Sequence, residues 1–192
     1  MRKSPSAGDF GTPQLRVESW SVASNAALAR AIHDLQARLG SIRIAVTAVA
    51  GLDLDEETRR EMLTSASEES VRASAELTAI GALATCLLDP APASECDVRE
   101  AAQSAAATAR LGGLDVYVHD DDNVTAPVDP ERMALVLASL MRVVGGAGTE
   151  VRVRVGAHGV VLDGNDTEAV PAIAYALAEQ LGSPAIAFGK IE

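Results

Sequence analysis

Seven apolar residues, Leu28, Ile32, Leu35, Leu39, Ile42, Val46 and Val49, recur at steps of four, three, four, three, four and three. That is the a/d repeat of a helix packed along its whole length against other helices. With Ile32 at an a position, His33 falls at b, on the solvated flank of the seam rather than inside it. The predicted helix runs from about Ser24 to Ala50 and stops at Gly51. Asp53-Leu54-Asp55-Glu56 then reads as a capping box, with Asp53 taking orphan backbone donors and Glu56 reaching back. A second helix to about Leu88 turns Leu63, Ala66, Ser70, Ala73, Leu77, Ile80, Ala84 and Leu87 inward. Two long helices joined by a short turn make an antiparallel hairpin. A single hairpin leaves part of both apolar stripes uncovered, so two copies are expected to pair into a four-helix bundle.

Beyond the linker Asp89-Pro90-Ala91-Pro92-Ala93-Ser94 the pattern changes to short mixed elements. Asp97-Val98-Arg99-Glu100 is another capping box and opens a helix to about Arg110, which Gly112-Gly113 ends. Strands are expected at Leu114–Val118 and Val124–Val128, around the acidic turn Asp120-Asp121-Asp122-Asn123. Asp129-Pro130-Glu131 starts a helix, with the cap at Asp129 and proline at the first helical position, running to about Val144. Strands at Glu150–Val155 and Val160–Leu162, a helix at about Thr167–Leu181 and a strand at Ala185–Phe188 follow. The fold class is α+β: an N-terminal hairpin and a C-terminal two-layer α/β sandwich with its helices on one face of a mixed sheet. The expected divisions are a flexible segment at 1–22, the hairpin at 23–89 and the α/β domain at 95–192.

Composition narrows the function. The chain has 192 residues, enough for one or two domains, and its net charge of −11 argues against a nucleic-acid partner, which needs a basic surface. An apolar share of 48% with only 3% aromatics means a core of Ala, Leu, Val and Ile, suited to closely packed helices. With no run of 18 apolar residues and no signal peptide, a cytoplasmic location without a membrane partner is expected, and Cys86 and Cys96 read as free thiols. His119 and His158 have no metal-ligand spacing with the cysteines or each other and read as strand-end surface residues. The acidic turn lacks the rest of a calcium loop and reads as solvated.

The string Ala31-Ile32-His33-Asp34-Leu35-Gln36-Ala37-Arg38-Leu39 resembles the phosphoacceptor box of two-component histidine kinases, where a histidine, an acidic residue and a leucine open the helical run. The resemblance extends over roughly residues 25 to 190. It implies that His33 accepts a phosphoryl group and that Asp34 orients the ring or takes a proton, beside the plain alternative of a surface charge. A histidine suits that chemistry because it titrates near neutrality and is a competent nucleophile. Arg30, three residues before His33, can offset phosphoryl charge, and Arg38 is similarly situated. Ala37 stands where kinases with phosphatase activity carry a Thr or Asn, which disfavours hydrolysis, and Arg38 stands where the family has proline.

The C-terminal half is similar to the kinase ATP-binding domain with its nucleotide motifs lost. The asparagine-rich helix corresponds to Ser139-Leu140-Met141-Arg142-Val143-Val144, so Val143 replaces the magnesium-binding asparagine. Asp163-Gly164-Asn165-Asp166-Thr167 keeps the adenine-binding aspartate and loses both following glycines. Glu168-Ala169-Val170 falls where phosphate-cradling glycines belong, with no room for an ATP lid. The resemblance therefore implies a dimeric histidine phosphotransferase that passes phosphoryl groups between response-regulator receivers without binding ATP. The receivers would dock around His33, on Arg30, Ala37, Arg38, Gly40 and Ser41. No cofactor is expected on this chain, the magnesium belonging to the partner receiver. Two other classes stay open: a non-catalytic dimeric adaptor that binds receivers or kinases, and an ATP-dependent kinase with unusual motifs.

Overall fold

A computed structural model describes residues 13–88, 94–120, 124–146, 148, 150–157, 159–165, 170–181 and 186–191, with side chains from residue 25 onward except at Asp120. Helix α1 spans Pro13–Gly51 and α2 spans Glu56–Leu88. The first helix begins well before Ser24, so 13–22 continue the helix rather than forming a flexible lead. Proline is tolerated at a first helical position, and no glycine or proline interrupts residues 14–39. The linker residues 89–93 lie outside the described residues.

Asp55, not Asp53, caps α2. Its Oδ1 accepts from the Thr58 N–H at 2.8 Å and its Oδ2 from the Thr58 hydroxyl at 2.8 Å. The carboxylate must precede its donor by three residues, and a helix starting at Glu56 sets that spacing on Asp55. The Thr58 N–H, then its hydroxyl, hold the Asp55 carboxyl below the ordinary aspartate range.

The two helices pack against each other as an antiparallel hairpin, but the heptad is covered on one side only. In α1 the d row, Leu28, Leu35, Ile42 and Val49, is half-buried. The a row is open: Ile32 is 49%, Leu39 53% and Val46 51% exposed. In α2, Ala66 and Ala73 are buried and Ile80 and Leu87 half-buried, whereas Leu63, Ser70 and Leu77 are exposed. Near the base, a different face of α2 buries Ala75, Ala79, Ala82, Leu83 and Cys86 in the core shared with the rest of the chain. Packing of α2 on α4 and α5, and of α1 on α5, makes this junction. The C-terminal part of α2 is long and apolar enough to cross a membrane by length and composition, and 39% of that window is buried in this fold.

The remaining elements build the α/β domain. Strand β1 (Glu95–Asp97) leads into α3 (Val98–Leu111), whose cap Asp97 accepts from the N–H groups of Arg99 and Glu100 at 2.9 and 3.2 Å. Then come β2 (Asp115–Asp120), β3 (Thr125–Pro127) and α4 (Pro130–Gly145). Asp129 caps α4 through the Arg132 N–H at 2.9 Å, as the Asp-Pro-Glu string predicts. Strands β4 (Glu150–Gly156) and β5 (Gly159–Gly164), helix α5 (Ala172–Glu179) and strand β6 (Ile186–Phe188) complete the order.

A four-stranded mixed sheet runs β2-β4-β5-β6, with β2 parallel to β4, β4 antiparallel to β5 and β5 parallel to β6. Strand β3 does not join it. It pairs antiparallel with β1, setting Cys96 opposite Ala126, in a separate ribbon. Pro127 has no N–H to donate to a central ladder, which suits an edge ribbon. The expected helix from Thr167 shortens to Ala172–Glu179, because Pro171 sits at its cap in an extended conformation. Alternation along β4 buries Val151, Val153 and Val155 and turns Arg152 and Arg154 to the other face. The buried side meets Val136, Leu137, Leu140 and Met141 of α4 and the alanine face of α3, all within one core. Each fully buried leucine there contributes roughly 2 kcal/mol.

Candidate functional site

His33 projects from the flank of α1 with its side chain 82% exposed. Its Nδ1 lies 3.4 Å from Asp34 Oδ1, at the long end of hydrogen-bonding distance. A carboxylate only accepts, so in the neutral tautomer that carries its proton on Nδ1 the facing nitrogen donates to Asp34 and the Nε2 lone pair is the one left for attack. Such a ring can attack an electrophile in line without first moving a neighbour. The arrangement follows from the heptad: the b position keeps the imidazole out of the seam.

Arg30, Ala37, Gly40 and Ser41 stand three before and four, seven and eight after His33, and so lie along the same side of α1. Arg30, Ala37 and Ser41 are exposed, and a methyl group at Gly40 would meet nothing within 4 Å. Ser41 Oγ donates to the Ala37 carbonyl at 3.3 Å, which keeps its hydroxyl folded onto the helix. These residues make one small-sided stripe around the imidazole.

Arg38 does not belong to that stripe. It reaches across the hairpin, with Nη1 2.7 Å from Glu69 Oε2 and Nε 3.3 Å from Glu76 Oε2. Arg72 closes the far side, its Nη1 3.1 Å from Glu69 Oε1. Glu76 is only 3% exposed. Burial pushes its carboxyl up, the Arg38 charge and hydrogen bond pull it down, and the carboxylates of Asp34 and Glu69 push it up again, so the net is above the ordinary glutamate range. Glu69 goes the other way. Burial pushes it up, but Arg38 and then Arg72 outweigh that, and its carboxyl lies below the ordinary range. The contrast has a simple cause: Glu69 holds two guanidinium groups and some solvent, while Glu76 shares one and has almost none.

Glu69, Arg72 and Glu76 are the residues that the heptad reading missed. Their signal is their spacing of three and four, beside the buried Ala66 and Ala73, with a counter-charge waiting at Arg38. A charge run on a helix usually reads as a solvated face, and only the register of α1 on α2 brings these groups together.

In the α/β domain, Val143 is buried in α4 and offers no lone pair to a cation. Asp163 lies on β5, where its Oδ2 accepts the Ile191 N–H at 3.1 Å. Glu150, Arg152, Asp163, Gly164 and Asn165 line a polar cleft of about 220 Å³ beside it. Arg152 already pairs with Glu150 at 2.7 Å. At Gly164 a Cβ would come within 2.5 Å of the Val144 carbonyl oxygen, so glycine lets β5 approach the end of α4. Residues 166–169, which include Glu168 and Ala169, lie outside the described residues, as do His158 and Asp121-Asp122-Asn123. His119 is exposed on β2. Cys86 and Cys96 are free and buried, and burial raises both thiols. Among the described residues no three His, Cys, Asp or Glu side chains converge as a metal site would require. No protein-family model matches the chain, and no curated protein matches it either.

Proposed function

We propose that the chain is a histidine phosphotransferase that carries phosphoryl groups between receiver domains through His33. The observation that carries the reading is the exposed imidazole whose Nδ1 faces Asp34 and whose Nε2 is open to solvent. In the forward step the Nε2 lone pair attacks the phosphorus of a receiver's aspartyl phosphate. The N–P bond forms as the P–O bond breaks, and the bonding pair leaves with the receiver's carboxylate. The Nδ1 proton stays on the ring beside Asp34, which offsets the positive charge of the phosphoimidazole. A second receiver's carboxylate then reverses the step. Magnesium bound to the receiver would serve both transfers, so this chain supplies no cofactor.

Two features support the rest of the reading. The open a row of Ile32, Leu39 and Val46 is what a second copy would cover, and a four-helix bundle is the arrangement that covers it. A mixed sheet with its helices packed on one side, carrying valine at 143 and an aspartate engaged by its own chain, fits a nucleotide-binding domain turned to another use. We assign it a partner-recognition role in a cytoplasmic phosphorelay.

The test is incubation with a panel of radiolabelled phospho-receivers, following label onto the native chain and onto His33→Ala. Acid-labile, alkali-stable label on the native chain alone is expected. A receiver that binds tightly and transfers no label would replace the reading with an adaptor. Saturable ATP binding would argue for a kinase.

A further inference from the structure

We propose that Glu69 and Glu76 are positioning residues for the His33–Asp34 pair, which they serve by holding Arg38 away from Asp34; this rests on His33 being the phosphoacceptor. Asp34 and Arg38 stand four residues apart on one helix, the spacing at which a carboxylate and a guanidinium ordinarily pair. Among the described residues that pair does not form. Arg38 instead takes Glu69 at 2.7 Å and Glu76 at 3.3 Å on the opposite helix. Asp34 is left to His33, at 3.4 Å.

The choice follows from relative burial. The Glu76 side chain is 4% exposed and the Asp34 side chain 47%. A buried carboxylate without a cation loses far more than one that solvent can reach, so the guanidinium belongs with Glu76. Glu69 then fixes the other edge of the same planar group, which favours two acceptors held at a set separation. Asp34 lies near enough to Glu76 for its charge to push the Glu76 carboxyl up, so the two carboxylates stand on either side of the same guanidinium's reach.

The consequence is chemical. Were Arg38 to swing to Asp34, the guanidinium would share the carboxylate's charge and draw it toward residue 38, weakening the acceptor that favours the proton on Nδ1 of His33. The neutral ring would then shift toward the tautomer protonated on Nε2, whose lone pair lies on the wrong nitrogen. Attack on phosphorus through Nε2 would wait for the minor tautomer. Arg38 therefore matters through where it is kept, and Glu69 and Glu76 decide that.

The test uses the full chain with Glu69→Gln and Glu76→Gln combined, which keeps both shapes and removes both charges. Two readouts are taken at about pH 8, above the ordinary imidazole range. The ¹⁵N shifts of the His33 ring give the tautomer ratio, and single-turnover label transfer from a saturating phospho-receiver gives the rate. The Nδ1-protonated share is expected to fall about threefold relative to the other tautomer, and transfer to slow by up to about tenfold. Adding Arg38→Gln removes the competing cation and is expected to restore both. Arg38→Gln alone should leave the tautomer ratio as it is in the native chain, whereas a purely structural role would make it as harmful as the double change. If the double variant unfolds, either single Glu→Gln variant should move the ratio the same way by less. A ratio unchanged in the carboxylate variants, or not restored by Arg38→Gln, overturns the proposal. A native chain that takes no label while the ratio still responds would overturn the phosphoacceptor reading and leave the positioning of the ring standing.

Discussion

The outer half of the hairpin and the C-terminal domain use the same residue types to different ends. In the domain, Leu137, Leu140, Leu162 and Leu177 are fully buried by other parts of the same chain. In the hairpin, a heptad of equal quality half-buries one row and leaves Ile32, Leu39 and Val46 about half exposed. A sheet with helices packed on one side closes over its apolar face, whereas two helices touching along one line cannot cover two stripes. What bridges the hairpin's middle beside its half-buried row is polar: Arg38 reaches Glu69 and Glu76 across the seam, and Arg72 braces Glu69 along α2. The domain is thus held by apolar area, and the hairpin's middle is also bridged by charge.

The strongest attack on that contrast is Leu137→Ala, which should cost about 3 kcal/mol in urea unfolding at any protein concentration. Arg38→Ala comes next, at about 2 kcal/mol, because it leaves the Glu76 carboxylate buried without its cation. A loss below about 0.5 kcal/mol would place that ion pair among surface pairs and erase the distinction. Asp129→Ala removes the cap of α4 and should lower stability by about 1 kcal/mol, spread over the domain rather than the hairpin.

The hairpin's charges also give a pH signature with opposed parts. Glu69 has a lowered folded value, so its contribution is present above the ordinary glutamate range and is lost as pH falls through that folded value. Glu76 has a raised folded value, so its contribution is present at low pH and is lost as pH rises through it. Glu76→Gln should therefore raise the Tm at neutral pH, by about 2 °C, and make no difference in acid. A lower Tm at neutral pH would mean that Arg38 more than compensates for burial. The smallest effect is expected from Leu39→Ala, under about 0.5 kcal/mol in dilute solution. If a second copy covers the a row, that loss grows with protein concentration, and Leu39→Glu halves the mass seen in sedimentation. A concentration-independent loss from Leu39→Ala would leave the a row to some other use.

Much of the architecture was legible along the chain. The heptad gave two long helices and set His33 off the seam, and the Asp97 and Asp129 strings gave their caps to α3 and α4. Local rules decide such features, because cap, first turn and periodicity involve residues a few positions apart. Where the local pattern offered two acidic candidates, at 53 and 55, it chose the wrong cap. The pairing of β3 with β1 and the late start of α5 were also missed, since each depends on which neighbour a short segment finds.

His33 and the adjacent Asp34 could be read as a pair from the sequence by itself, with the exposure of the ring following from its heptad position. The same sequence determined the helical hairpin, an α+β domain after it, and a core poor in aromatics. Tertiary structure alone decided that Arg38 faces Glu69 and Glu76 rather than Asp34, thirty-one and thirty-eight residues away along the chain. The physical reason is that an ion pair is chosen by relative burial, and burial is a property of the register between two helices. It also decided which heptad row is covered, because a periodic pattern specifies that a face is apolar and leaves open what lies against it.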